Sequence, residues 1–142
     1  MRGFSCAQSV LCAFRDVAGL TEEQALMLGG GLGAGIGRMR LTCGAFCAIA
    51  AVCGFITGNV SPDIAKRGET YALVQKLRDE FVTETGALEC REILGLIADE
   101  KLGCEPCERT KEYYMKRPCV AVVAATCRIL EKEIAAHKRG ES

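Results

Sequence analysis

The sequence predicts an all-α fold: a single domain spanning residues 1–142, built as a bundle of about five to six helices around a central, buried Ala/Gly/Cys-rich helix. Three observations carry that prediction. Apolar residues recur at spacings of three and four, and nothing alternates with period two long enough to propose a sheet. The stretch 41–58, LTCGAFCAIAAVCGFITG, carries no charge and small side chains almost throughout, which suits a helix packed on all sides. A chain of 142 residues, 49% hydrophobic and 25% charged, is long enough for a real core and ordinary for one globular unit.

Residues 6 to 18 read as the first helix. Ser5 is its N-cap, and Cys6, Ala7, Val10, Leu11, Phe14, Val17 and Ala18 form one apolar face. Thr21-Glu22-Glu23-Gln24 is a capping box that opens a short helix through Leu28. The glycine run GGGLGAGIG, residues 29 to 37, lacks the spacing of a dinucleotide loop, and no strand precedes it. Two readings stay open: a flexible connector, or a loop whose backbone N–H groups approach an anionic group closely. Thr42 is positioned to cap the central helix at Cys43.

Further along, Ser61-Pro62-Asp63 offers an N-cap and a proline at the first position of a helix that runs to about Thr85 and stops at Gly86. Tyr71, Val74, Leu77 and Phe81 are its expected buried stripe, and Lys66, Arg67, Lys76, Arg78, Asp79 and Glu80 its solvated face. Residues 87 to 97 suggest a shorter helix with Cys90 near its start, followed by a polar, poorly patterned stretch. Pro118 opens a last helix with Val120, Val123, Cys127, Leu130 and Ile134 as its packing seam, which permits a homodimer without requiring one.

Eighteen basic residues balance eighteen acidic ones, so no basic footprint for nucleic acid is present. His137, the one histidine, lies in the polar tail HKRGES and reads as solvated. The uncharged stretch between Arg40 and Asp63 is long enough to span a bilayer, but its Gly, Ala and Cys content and lack of aromatic belts favour a core helix, so no membrane partner is expected. Gln8 and Ser9 interrupt any secretory core at the N-terminus, which places the chain in the cytoplasm. Ten cysteines in that setting point to metal binding or thiol redox chemistry.

The sulfurs sort by position. Cys12, Cys47, Cys53 and Cys127 lie inside helices among apolar neighbours and read as small hydrophobes, with Cys47 one turn after Cys43 and the exception to watch. Cys104 and Cys107 form a lone CxxC, without the second pair or histidine of a complete zinc site and without the CxxCH of haem attachment. Cys6, Cys43, Cys90 and Cys119 each sit at or near a predicted helix N-terminus, where unpaired N–H groups and the helix dipole stabilise a thiolate, by about 0.3–1 kcal/mol per dipole. Four such positions on four helices suit an electron-poor metal centre.

Cys6-Ala7-Gln8-Ser9-Val10, the glycine run, Cys43-Gly44-Ala45, Cys90-Arg91-Glu92-Ile93-Leu94 and Cys119 together resemble the C_GCAxxG_C_C family of redox-active proteins over nearly the whole chain. That family is itself similar to the cysteine-bearing part of split-Soret-type cytochromes, which implies an iron–sulfur site but, lacking CxxCH here, not haem. The resemblance puts the four characteristic cysteines on Cys6, Cys43, Cys90 and Cys119, with Cys107 competing for the last place and Cys47 as an alternative ligand. Ala48 stands where the motif expects glycine. The expectation is an electron-transfer or redox-sensing protein, a carrier rather than a catalyst. It would hold one iron–sulfur cluster, two-iron preferred over four-iron, and serve an unidentified redox partner protein. The alternatives are a thiol–disulfide oxidoreductase using Cys43 with Cys90 or Cys119, and a structural zinc protein using the same sulfurs.

Overall fold

The computed structural model describes residues 3–96 and 103–141. These form eight helices and no strands: α1 Cys6–Ala13, α2 Arg15–Ala18, α3 Glu22–Gly30, α4 Gly44–Thr57, α5 Ile64–Thr85, α6 Cys90–Ile93, α7 Lys111–Met115 and α8 Cys119–Lys138. The all-α prediction holds, with α2, α6 and α7 as single short turns beside five longer helices.

The central helix is α4. Its Ile49, Val52 and Cys53 meet Val10 and Leu11 of α1, Leu77 and Phe81 of α5, and Ile129 and Leu130 of α8. Most of these are entirely buried, and each large aliphatic or aromatic side chain so placed stabilises the fold by about 1.5–3 kcal/mol. Phe46 and Phe81 stack obliquely with ring centroids 5.5 Å apart. Among the described residues no helix is long and apolar enough to cross a membrane.

Local signals set several boundaries as expected. Ser5 and Gln8 form a reciprocal capping box on α1, and Thr21 and Gln24 do the same on α3. Gly86 ends α5 at φ +85°, a conformation that glycine adopts without a Cβ clash.

Other boundaries differ, each for a local reason. The single helix expected over 6–18 breaks at Phe14, which buries its ring in the core and leaves Val17 exposed. Helix α3 continues past Leu28 to Gly30 because Gly29 lies flat on α1, where a Cβ would sit 2.9 Å from the Gln8 backbone. Thr42 does not cap α4: its hydroxyl donates to the Glu89 carboxylate at 3.1 Å, and Cys43 itself is the N-cap. Asp63, rather than Ser61, caps α5 by accepting from the Ala65 N–H at 2.8 Å, so Pro62 precedes the helix.

Tyr71 is 58% exposed, and the neighbouring Thr70 is buried instead, 2.9 Å from the Thr57 hydroxyl of α4. Part of the supposed solvated face of α5 ties it to α8: Lys76 donates to the buried Glu133 at 2.6 Å, and Lys132 to Glu80 at 3.0 Å. On α8 the buried side runs through Val122, Ala125, Thr126, Ile129 and Leu130, while Val120 is exposed. Helix α6 stops at Ile93, with Gly95 at φ +67°; the expected end at residue 97 lies outside the described residues. The turn α7 arises inside the stretch that showed no pattern.

Candidate cofactor site

The first residue of α1, the N-cap of α4, and the first residues of α6 and α8 are all cysteines: Cys6, Cys43, Cys90 and Cys119. Their four side chains line one small cavity of about 30 Å³, room for about one water.

Two backbone devices bring them there. The first is a short antiparallel staple between residues 40–43 and 88–91. Cys43 N donates to Leu88 O at 3.0 Å, Cys90 N to Leu41 O at 2.6 Å and Arg91 N to Arg40 O at 3.2 Å. A pairing of this kind fixes Cys43 beside Cys90 although 46 residues lie between them.

The second device is the glycine run. From Ala34 to Arg38 five successive residues have positive φ (+55°, +73°, +61°, +55°, +66°), and Arg40 follows at +58°. Four of these six are not glycine, and each such placement costs about 1–2 kcal/mol. The coil closes on itself through Gly37 N to Gly31 O at 2.8 Å and Leu41 N to Gly35 O at 3.1 Å. Gly35 makes the closure possible: a Cβ there would lie 2.7 Å from both the Cys90 Cβ and the Arg40 Cα. Gly33 packs as tightly on Ser5, and Gly44 on Leu32 O and the Cys6 sulfur. Ala34 of this run lines the cavity, and its backbone N–H is one of the groups that lower the Cys6 thiol, in keeping with the close backbone approach.

The thiols are electrically unequal. Cys43 donates its S–H to Cys6, and that bond, helped by the N–H groups of Ala34 and Ala7 and the charge of Arg109, brings Cys6 down to about 6 against the effect of burial. The same bond, with burial, pushes Cys43 well up. Burial raises Cys119, and the negative charge on Cys6 raises it further. Burial also raises Cys90, although the Arg40 guanidinium, its Nη1 3.9 Å from the sulfur, pulls the other way. Of the four, Cys6 is thus the thiol that most readily gives up its proton.

Neither alternative ligand lines the cavity. Cys47 turns its thiol to the Thr42 carbonyl at 3.8 Å, and burial pushes it up. Cys107 is exposed, with its sulfur 4.0 Å from Arg38 Nη2. Cys104 is exposed too, and all ten cysteines are described without a disulfide among them. Cys53 is pushed up to about 12 by burial, and Cys127 is raised for the same reason. His137 is exposed near the end of α8. Cys43 shares the cavity with Cys6 as well as with Cys90 and Cys119.

Three polar residues of the cavity wall, Arg40, Arg109 and Tyr113, are not among the candidates that the sequence offers. Arg40 adjoins the glycine run and Cys43, a position that offered a signal. Arg109 and Tyr113 come from the unpatterned stretch and offered none.

Residues 4–133 match the family model described as Putative redox-active protein (C_GCAxxG_C_C). The chain belongs to this family. No curated protein and no solved structure matches it. The C_GCAxxG_C_C name writes the central motif Gly-Cys-Ala, where this chain reads Cys43-Gly44-Ala45. Ala48, the departure from the expected glycine, is fully buried within the core and does not line the cavity.

A metal group between the four sulfurs fits by donor chemistry: soft ligands and two flanking cations. Among the described residues, however, no three Cys, His, Asp or Glu side chains close on a single metal-sized point. The sulfurs must part for anything larger than a water.

Proposed function

We propose that this chain is an electron-transfer or redox-sensing protein in which Cys6, Cys43, Cys90 and Cys119 hold one iron–sulfur cluster, two-iron rather than four-iron. The observation that carries the reading is that four cysteines from four separate helix starts line one cavity. Membership of a redox-active family agrees with it. A bound cluster supplies one-electron redox chemistry. The chain supplies the thiolates, the Ala34 N–H, and two guanidiniums that offset negative charge. A cluster spreads its ligands over several metal atoms, whereas one zinc ion needs all four sulfurs at roughly 2.3 Å. The expected partner is another protein that donates or accepts single electrons.

The experiment is purification without oxygen, followed by iron and acid-labile sulfide analysis and by visible and EPR spectra. Iron and sulfide in matching amounts, with a reducible chromophore, are expected. A colourless protein that takes up no iron on reconstitution overturns the reading, and stoichiometric zinc in its place turns the site into a structural one.

One observation favours a second reading, a thiol–disulfide oxidoreductase: the lowered Cys6 thiol beside its donor Cys43. In that chemistry the Cys6 thiolate attacks a substrate disulfide, forms a mixed disulfide and releases one thiolate. Cys43 loses its proton and attacks Cys6, leaving a Cys6–Cys43 disulfide and a second substrate thiol. In the form of this reading that the sequence suggests, Cys43 attacks and Cys90 or Cys119 resolves, and all three lie in the same cavity. Reversible loss of two thiols in iron-free protein, at a defined potential, identifies this chemistry.

A further inference from the structure

Arg40 is 7% exposed, and its Nε has no hydrogen-bond partner. A guanidinium is a cationic group, and a buried charge is strongly disfavoured unless an opposite charge offsets it. Among the described residues Arg40 makes no ion pair, and neither aspartate nor glutamate lines the cavity it faces. Its one side-chain contact with sulfur, Nη1 to Cys90 Sγ at 3.9 Å, is long.

The backbone holds this arrangement in place. Arg40 sits at φ +58°, its N–H bonded to Ala34 O at 3.2 Å and its carbonyl accepting from Arg91 N. Gly35 packs against both Arg40 Cα and Cys90 Cβ, so no side chain separates the two. Arg109, the other cation of the wall, is only partly buried and lies over the Tyr113 ring, 5.4 Å from its centroid. Water can screen the partly buried Arg109 more readily than the buried Arg40.

We infer that Arg40 is a built-in counter-charge, and that the group held by Cys6, Cys43, Cys90 and Cys119 carries net negative charge together with those ligands. The inference rests on the reading of the site as a cluster or metal centre. Four thiolates around a core of fewer than four positive charges leave such a surplus. Each electron accepted from a reduced donor adds one more negative charge, with no bond made or broken. Arg40 favours that more negative state and so raises the midpoint potential.

The test compares wild type with Arg40→Met and Arg40→Lys. It measures thermal unfolding of the metal-free and iron-loaded forms, and an anaerobic potentiometric titration with dithionite as reductant. Arg40→Met is expected to raise the melting temperature of the metal-free protein and lower that of the loaded one, and to move the midpoint potential to more negative values. Arg40→Lys, which keeps the charge, should stay near wild type in potential. If Arg40→Met lowers both melting temperatures and leaves the potential in place, or if it fails to fold without metal, Arg40 is a packing residue and the inference falls. A wild type that takes up neither iron nor zinc defeats the reading of the site itself, an outcome visible before any variant is made.

Discussion

Cys43 and Cys53 stand towards opposite ends of α4 and are treated differently. At the N-terminal end, Cys43 caps the helix, donates to the Cys6 thiolate and faces a cavity ringed by a strained glycine coil. Toward the other end, Cys53 is fully buried among Ile49, Val52 and the apolar faces of α5 and α8. The same side chain lines a cavity with polar groups in one place and is a small core hydrophobe in the other. Burial is common to both. What differs is the supply of donors: N–H groups, an S–H and guanidiniums converge on the first end, whereas burial dominates around Cys53 and the nearest charge, Glu133, acts in the same direction. Donors rather than depth make a buried sulfur reactive here.

The largest test of that contrast is a pair of substitutions. Cys43→Ser is expected to abolish bound iron, because the hard hydroxyl replaces a thiolate ligand. Cys53→Ala should leave the iron content unchanged and lower stability by about 1 kcal/mol, the cost of a small core deletion. Metal analysis and urea denaturation read both. Iron retained by Cys43→Ser, or lost from Cys53→Ala, breaks the comparison.

Next in size are two glycines of the same helix. At Gly44 a Cβ would lie 2.6 Å from the Leu32 carbonyl oxygen and 2.9 Å from the Cys6 sulfur, whereas at Gly54 it meets nothing within 4 Å. Gly44→Ala should therefore destabilise by about 1–3 kcal/mol through overpacking. Gly54→Ala should stabilise by about 0.5–1 kcal/mol, the ordinary gain of alanine over glycine in a helix. Opposite shifts in the urea midpoint are the expected result, with reduced iron loading confined to Gly44→Ala.

The helices and their caps are the more legible in the sequence, and the reason is locality. Ser5, Thr21 and Gly86 act on residues within one turn of themselves, so their caps follow from a few letters. The apolar run of α4 announced a central helix in the same way. The cysteine end depends on distant pairings. Thr42 bonds to Glu89 instead of capping α4, and nothing between them in the chain foretells it. The coil from Ala34 to Arg40 places Ile36 and two arginines at positive φ, against their own preference, because Gly33 and Gly35 must lie on Ser5 and Cys90. Tyr71 and Val120 depart from their expected inward positions for a milder version of the same reason. The rotation of α5 and α8 about their axes is set by which neighbours they meet, with Thr70 and Val122 turned to the core instead.

A pH series on metal-free protein sharpens the comparison with a smaller effect. An unfolded thiol ionises near pH 8.5. Cys6 is lowered to about 6, so its contribution to stability is complete above roughly pH 8.5 and is lost as pH falls through about 6. Cys53 is raised to about 12, so its contribution is complete below roughly pH 8.5 and is lost as pH rises toward 12. Iodoacetamide labelling with mass-spectrometric readout should show Cys6 half-reactive near pH 6, with Cys53 silent while the chain stays folded. Equal pH profiles for the two sulfurs contradict the donor account.

The smallest expected effect belongs to Cys47, and it probes where the reactive end stops. Cys47 is one turn along α4 from Cys43, close enough in sequence for a ligand to pass from one to the other. Its thiol is instead engaged with the Thr42 carbonyl at 3.8 Å and is raised by burial, with the Cys6 charge adding to the rise. A weak S–H donor of this kind contributes little, so Cys47→Ala should leave iron content and midpoint potential at the wild-type values and change stability by less than about 1 kcal/mol. The informative pairing sets the double variant Cys43→Ser/Cys47→Ala beside Cys43→Ser alone. If both are devoid of iron, the reactive end consists of the cavity sulfurs and ends within one turn. If Cys43→Ser keeps residual iron that the double variant loses, Cys47 swings into the vacated place, and the boundary between the two ends of α4 is set by occupancy rather than by the fold.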